Sequence, residues 1–186
     1  MGYLYSSYLI LWLNSFTWTG YIENEKEVEM VYSRMTLVAM PSSVLLTVLI
    51  GYLADRVKPV YLIAPGFFGR ACVSFLFKTV VDPKGIYSFT LVTFLIATSI
   101  MQVVALESLL MKNLPSDARG AFTILVTFFM GVASLLYNIV GGPVFDALGP
   151  SSPFVLISAF DITLFAFAMF LGIGGYLTID SDVAKE

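Results

Sequence analysis

Six apolar runs, each near the length of a membrane span and almost free of charge, constrain this chain more than any other feature. The stretch Met35–Ala54 carries no charged side chain at all. About 20 predominantly apolar residues are what a helix needs to cross the roughly 30 Å hydrocarbon core of a bilayer. Comparable runs cover about 3–19, 60–80, 87–111, 120–142 and 153–177. Their length predicts helices, because membrane barrel strands would alternate polar and apolar residues over about 10 positions. The expected architecture is therefore an all-α membrane protein with six transmembrane helices.

Composition excludes most other classes. Hydrophobic residues make up 58% of the chain and charged residues 12%, with a mean hydropathy of +0.87. Soluble domains average about 25% charged residues, so this chain has too few charges to keep a soluble surface wet. A net charge of −3 leaves no basic face for phosphates, and nucleic acid is not an expected partner. Cys72 is the single cysteine and there is no histidine, which rules out an internal disulfide and argues against a metal cluster. No Ser/His/Asp set, phosphate-cradling glycine loop or pair of catalytic carboxylates can be assembled, so neither catalysis nor a cofactor is expected. Gly172-Ile-Gly-Gly175 lies at a membrane helix end, without the strand–helix unit a nucleotide fold needs.

The predicted organisation is one six-helix domain over residues 1–179 and a polar tail, 180–186. The first run lacks a positively charged leader, and its tyrosines and tryptophans suit a membrane interface, so it reads as a helix and not a cleaved signal peptide. Only Met1 and Gly2 precede it, which is expected of a fragment of a longer product. The acidic stretch Glu23–Glu29 is expected to keep an outer loop solvated. With both termini cytoplasmic, Arg56, Lys58, Lys112, Arg119 and Lys185 lie inside, against Lys26, Arg34, Lys78 and Lys84 outside. The positive-inside rule favours that orientation by a single residue.

Two charged corners stand out against this background. Gly51-Tyr-Leu-Ala-Asp55-Arg56-Val57-Lys58 follows the second run, and Gly142-Pro-Val-Phe-Asp146-Ala-Leu-Gly149 follows the fifth. A shift of three helices maps one onto the other, as two inverted three-helix repeats would. Arg34 and Arg119 fall at loosely similar places before the second and fifth runs. Glycine and aspartate are also common wherever helices end, so chance is the competing explanation.

Gly51-x-x-x-Asp55-Arg56 resembles the loop signature of the major facilitator superfamily, which joins the second and third helices of each six-helix half on the cytoplasmic side. Lys58 stands where that signature has its second glycine, and Pro59 replaces a basic residue, a degeneration more like the C-terminal copy. Glu107, Pro115 and Arg119-Gly120 resemble the link between the fourth and fifth helices. The resemblance implies a C-terminal half of a transporter working by alternating access, completed by an N-terminal half from a longer chain, a second subunit or a second copy. It also implies a conformational latch of Gly51, Asp55, Arg56, Lys58, Glu107 and Arg119. In that latch Asp55 would accept from the free amides that start the fifth helix, while Arg56 and Lys58 pair with Glu107. The alternative is a non-transporting membrane subunit that keeps the half-fold inside a larger complex.

Ionisable residues deep in a membrane helix are costly and usually functional. Arg70 near the middle of the third helix and Asp161 in the sixth are the candidates here, either pairing across helices or facing a solute path. Gln102, Asn138 and Asn14 can line such a path or bond one helix to another. The aromatic residues suit lipid-facing belts better than a ligand cage. Pro41 and Gly66-Phe-Phe-Gly69 are possible bends. Gly141-Gly142-Pro143 only partly matches the glycine pattern of antiporters, so proton antiport is not inferred.

Overall fold

The computed structural model describes residues 2–58, 60–115 and 118–174. Among these there is no strand. Six α-helices occur: α1 (Gly2–Ser15), α2 (Glu25–Ala54), α3 (Val60–Leu76), α4 (Ile86–Asn113), α5 (Arg119–Leu148) and α6 (Ser152–Ile173), with a 3₁₀ turn at Phe77–Thr79 after α3. Four of them, α2, α4, α5 and α6, are long and apolar enough to cross a membrane. Large apolar side chains such as Leu45, Phe94, Ile124, Phe128 and Phe170 lie exposed along their outer faces, a surface suited to lipid and not to water. This is the architecture of a multi-pass membrane protein. α1 has 14 residues and α3 has 17; with its 3₁₀ extension the α3 run is about 31 Å long, close to the hydrocarbon thickness.

Several helix ends differ from the sequence expectation, each for a local reason. α1 stops at Ser15, four residues early, because the Ser15 and Thr17 hydroxyls donate back to the carbonyls of Trp12 and Asn14 and Gly20 turns the chain with φ +78°. α2 begins ten residues early, and most of the acidic stretch is helix and not loop. Asn24 caps it by accepting from the Glu27 amide at 3.0 Å, and the Glu27 carboxylate reaches back to the Glu23 amide at 2.7 Å. These first turns precede the apolar segment that starts at Met35 and so stand outside the hydrocarbon. There Glu27 also meets Lys84 at 2.6 Å, and the Glu23 amide and the Lys84 ammonium together hold its carboxyl below the usual range. α5 runs six residues past Gly142, through Pro143; membrane helices tolerate an internal proline where neighbouring groups or local adjustments re-satisfy the freed carbonyl. It ends at Gly149, whose φ of +94° only glycine adopts readily. Pro59, the end of the sixth run beyond 174 and the tail 180–186 lie outside the described residues.

α3 is central, packed on α4 and α6; α2 lies against α4, and α5 against α6. Gly66 and Gly69 let α3 and α4 approach, since a Cβ on them would come within 3.0 Å of Gln102 Cγ and Thr98 Cγ2 respectively. The pair therefore serves packing in an unbroken helix. α1 joins through side chains. Its Trp12 sits edge-on to Phe77 and Phe154, which stack at 4.3 Å, and its Tyr8 sits edge-on to Tyr137 of α5.

The buried apolar residues form two clusters. One gathers Trp12, Leu13, Met35, Phe77, Leu95 and Phe154 at the end where α1 turns into α2 and α5 into α6. The other gathers Ala54, Leu62, Ile63, Phe67, Ala105 and Ala168 near the α2–α3 connection. The buried residues between the clusters are Arg70, Ala71 and Ser74 on α3 and Ser158 and Asp161 on α6, all polar but Ala71.

Candidate functional site

Arg70 follows Leu62, Ile63 and Phe67 of one cluster along α3 and precedes Phe77 of the other. Asp161 has the same intermediate place on α6, between Ile157 and Ala168. The two side chains meet. Arg70 Nε donates to Asp161 Oδ2 at 2.6 Å, and Nη2 donates to Oδ1, forming a two-pronged ion pair. Arg70 is 5% exposed and Asp161 0%, so each neutralises the other's charge out of solvent. The Phe67 ring lies 5.9 Å from the guanidinium carbon. Of the two options open in the sequence, pairing across helices is the one this conformation adopts.

Gln102 completes the polar interior from α4, fully buried against Gly66. Among the described residues neither its Nε2 nor its Oε1 has a hydrogen-bond partner, and the same holds for Ser74 Oγ, one turn beyond Arg70 on α3. Unpaired polar groups in such a place cost free energy. Asn138 is elsewhere, exposed on α5, with its backbone carbonyl accepting from Tyr8 Oη at 3.4 Å. Asn14 is half-buried near the end of α1.

A second cluster occupies the α2–α3 corner. Gly51, Asp55, Glu107, Ser108 and Lys112 line a cleft of about 430 Å³ between the C-terminal ends of α2 and α4. Lys112 Nζ donates to the Ala54 carbonyl at 2.6 Å and lies 3.4 Å from Asp55 Oδ1. That carbonyl is one of the last four of α2, which have no partner within the helix. Asp55 is the C-cap of α2, a position where the helix dipole repels a carboxylate and favours a cation. Lys112 therefore compensates both the open carbonyl and the misplaced charge.

The latch residues are thus only partly assembled. Gly51, Asp55 and Glu107 share the cleft. Arg56 instead lies over the Tyr52 ring, 4.1 Å from its centroid, and among the described residues no ion pair joins Arg56 or Lys58 to Glu107. Arg119 donates to the Leu114 carbonyl at 3.1 Å in its own connection. α5 begins at Arg119 without a side-chain cap among the described residues. Sequence reasoning passed over Lys112, although a lysine in the last turn of a long helix is a signal for carbonyl and dipole compensation.

Comparison with protein-family models, with curated proteins and with solved structures returned no match.

Proposed function

We propose that this chain is one half of a secondary transporter of the major facilitator type, moving a small solute across a membrane by alternating access. The observation that carries this reading is the Arg70–Asp161 pair. Arg70 stands ten residues after the start of α3, and Asp161 nine after the start of α6. In a fold of two inverted three-helix repeats, α3 and α6 are equivalents related by an axis in the membrane plane. Side chains near that axis would meet their own counterparts, and the Arg70–Asp161 contact fits that arrangement. The packing of α2 on α4 would correspond to the contact of α1 with α5, which here is made through Tyr8. Charges held at this depth are usually functional.

The corner at Gly51–Lys58 supports the same reading. Asp55 sits on the helix end that repels it, while the first amides of α5 lack a cap. A movement that brought Asp55 to α5 would relieve both and release Lys112. Lys112 then marks the state described here, and Glu107 waits in the cleft as its next acceptor. α5 leaves nearly its whole circumference uncovered, with only α6 packed closely along it, which favours a partner half. In this reading the termini are cytoplasmic and the corner faces the cytoplasm. The same uncovered helix would serve a non-transporting subunit, and the test separates the two.

Single cysteines replacing Asn14 and Ser108, in a Cys72→Ser background and in native membranes, should react with a membrane-impermeant maleimide from opposite faces. Alternating access requires that cross-linking one end shut raises reactivity at the other. Reactivities that stay independent would sink the transport reading in favour of the subunit. Saturable solute flux by the chain alone, shown to be monomeric in liposomes, would overturn the need for a second half.

A further inference from the structure

The seam between α2 and α4 holds a groove that neither the ion pair nor the corner uses. Its volume is about 520 Å³, within the 300–1,000 Å³ typical of small-molecule sites. α2 lines it with Tyr32, Thr36, Met40, Ser43 and Thr47, residues three or four apart and therefore on one helix face. The facing stripe of α4 is aliphatic apart from Ser99. No carboxylate, ammonium or guanidinium lines it.

The serine and threonine hydroxyls in this groove share one chemical bias, which the Tyr32 phenol, able to donate as well as accept, does not share. Thr36 donates to the Tyr32 carbonyl at 3.0 Å, Ser43 to Met40 at 2.6 Å, Thr47 to Ser43 at 2.8 Å and Ser99 to Leu95 at 2.7 Å. A hydroxyl has one proton and two lone pairs. With the proton engaged by its own helix, each offers the groove only an acceptor. Thr36 and Thr47 lie eleven residues apart, about 16 Å along the helix. Between them the walls are apolar.

We infer that this groove binds an uncharged, elongated amphiphile that carries hydroxyl or amide N–H donors, its apolar body along the α4 aliphatic stripe and its donors on Thr36, Thr47 and Ser99. A charged ligand would lose its hydration here without gaining a counter-ion. A lipid chain would fill the volume and leave the acceptors unused. The inference rests on the transport reading only in making that ligand a substrate; binding is measured without flux, so failed alternating access leaves it standing.

Equilibrium dialysis of the full chain in nanodiscs, with empty nanodiscs subtracted, compares radiolabelled 1,10-decanediol with 1,10-dimethoxydecane. The two share a ten-carbon body but only the diol donates; the diether is longer by two methyl groups and partitions more strongly into lipid, so retention by empty nanodiscs is subtracted for each probe separately. Each hydrogen bond of this kind is worth roughly threefold in a membrane setting, so two of them predict retention of the diol about tenfold tighter than the diether. In Thr36→Val/Thr47→Val/Ser99→Ala the ratio should fall toward one, and in the single change Thr47→Val by about threefold if the triple variant fails to fold. Equal retention of both probes by the native chain identifies a lipid seam and overturns the inference. So does retention of neither, or a ratio that the substitutions leave unchanged.

Discussion

Breaking the Arg70–Asp161 pair is the sharpest test of the interior. With the two side chains 5% and 0% exposed, Asp161→Asn leaves a guanidinium in the core with no counter-ion. Removing one partner of a buried pair costs about 3–5 kcal/mol, whereas replacing both by apolar groups of similar size is neutral or stabilising by about 1–4 kcal/mol. Neutral interhelical hydrogen bonds in membranes couple by only about 0.6 kcal/mol on average. Here two charge-assisted bonds run in parallel, so a coupling above about 2 kcal/mol is expected. The variants Arg70→Met, Asp161→Asn and Arg70→Met/Asp161→Leu, together with the doublet Arg70→Met/Asp161→Asn that closes the cycle, should be unfolded in mixed micelles with rising dodecyl sulfate and followed by far-ultraviolet circular dichroism. Each single change should destabilise strongly, and the apolar doublet should regain most of the loss. Additive single effects, or a coupling near that of a neutral bond, would refute the placement of the two ions against each other. Flux then divides structure from function: an apolar doublet that folds and transports makes the pair a structural tie, and one that folds without transport makes it part of the mechanism.

Three further outcomes follow from the same packing. Gln102→Met keeps an unbranched side chain beside Gly66 and removes the two unpaired polar atoms of its amide, so thermal unfolding should show a gain of about 1–2 kcal/mol, with flux unchanged unless Gln102 contacts the solute. Lys112→Ala should cost about 1 kcal/mol in the same assay because it frees the Ala54 carbonyl, while Asp55→Asn, three-quarters exposed, should change stability by less than about 0.5 kcal/mol; an equal loss in both would refute the assignment of Lys112 as the cap of α2. Gly141→Ala places a Cβ about 2.7 Å from the Tyr8 ring carbon Cζ, which should push α1 off α5 and cost about 1–3 kcal/mol, and unchanged thermal stability there would contradict the contact.

What the sequence made legible follows from how each feature is encoded. The helices were visible because run length and low charge are local properties, and the ends that moved, at Ser15, Asn24 and Leu148, are those set by side-chain hydrogen bonds and by two glycines with positive φ, Gly20 and Gly149. Arg70 and Asp161 were recognisable one at a time, since a charge inside an apolar run is conspicuous. Their partnership was only one of two options, because 91 residues separate them and nothing local links the pair. Lys112 was missed for the opposite reason. Lysine near a helix end looks like an ordinary interface residue, and its bond to Ala54 exists only once α2 and α4 lie side by side.

The division of the core gives these observations a common mechanical sense. Aromatic packing around Trp12, Phe77 and Phe154 ties one end, and at the other Ala54, Ala105 and Ala168 pack among Leu62, Ile63 and Phe67. Stacked and edge-on rings interlock and resist sliding, whereas alanines present smooth surfaces that let helices shift at little cost in contact. The ion pair lies between, able to pivot while its bonds persist because an arginine side chain is long and its fork stays intact. The smooth end is also the end of the Asp55 corner, where Lys112 holds an exposed carboxylate that the α2 dipole repels. Motion should therefore concentrate at the corner and leave the aromatic end fixed. Hydrogen exchange in nanodiscs checks this directly: amides near Ala54 and Leu110 should exchange faster than those near Trp12 and Phe154, and the reverse order would place the hinge at the wrong end.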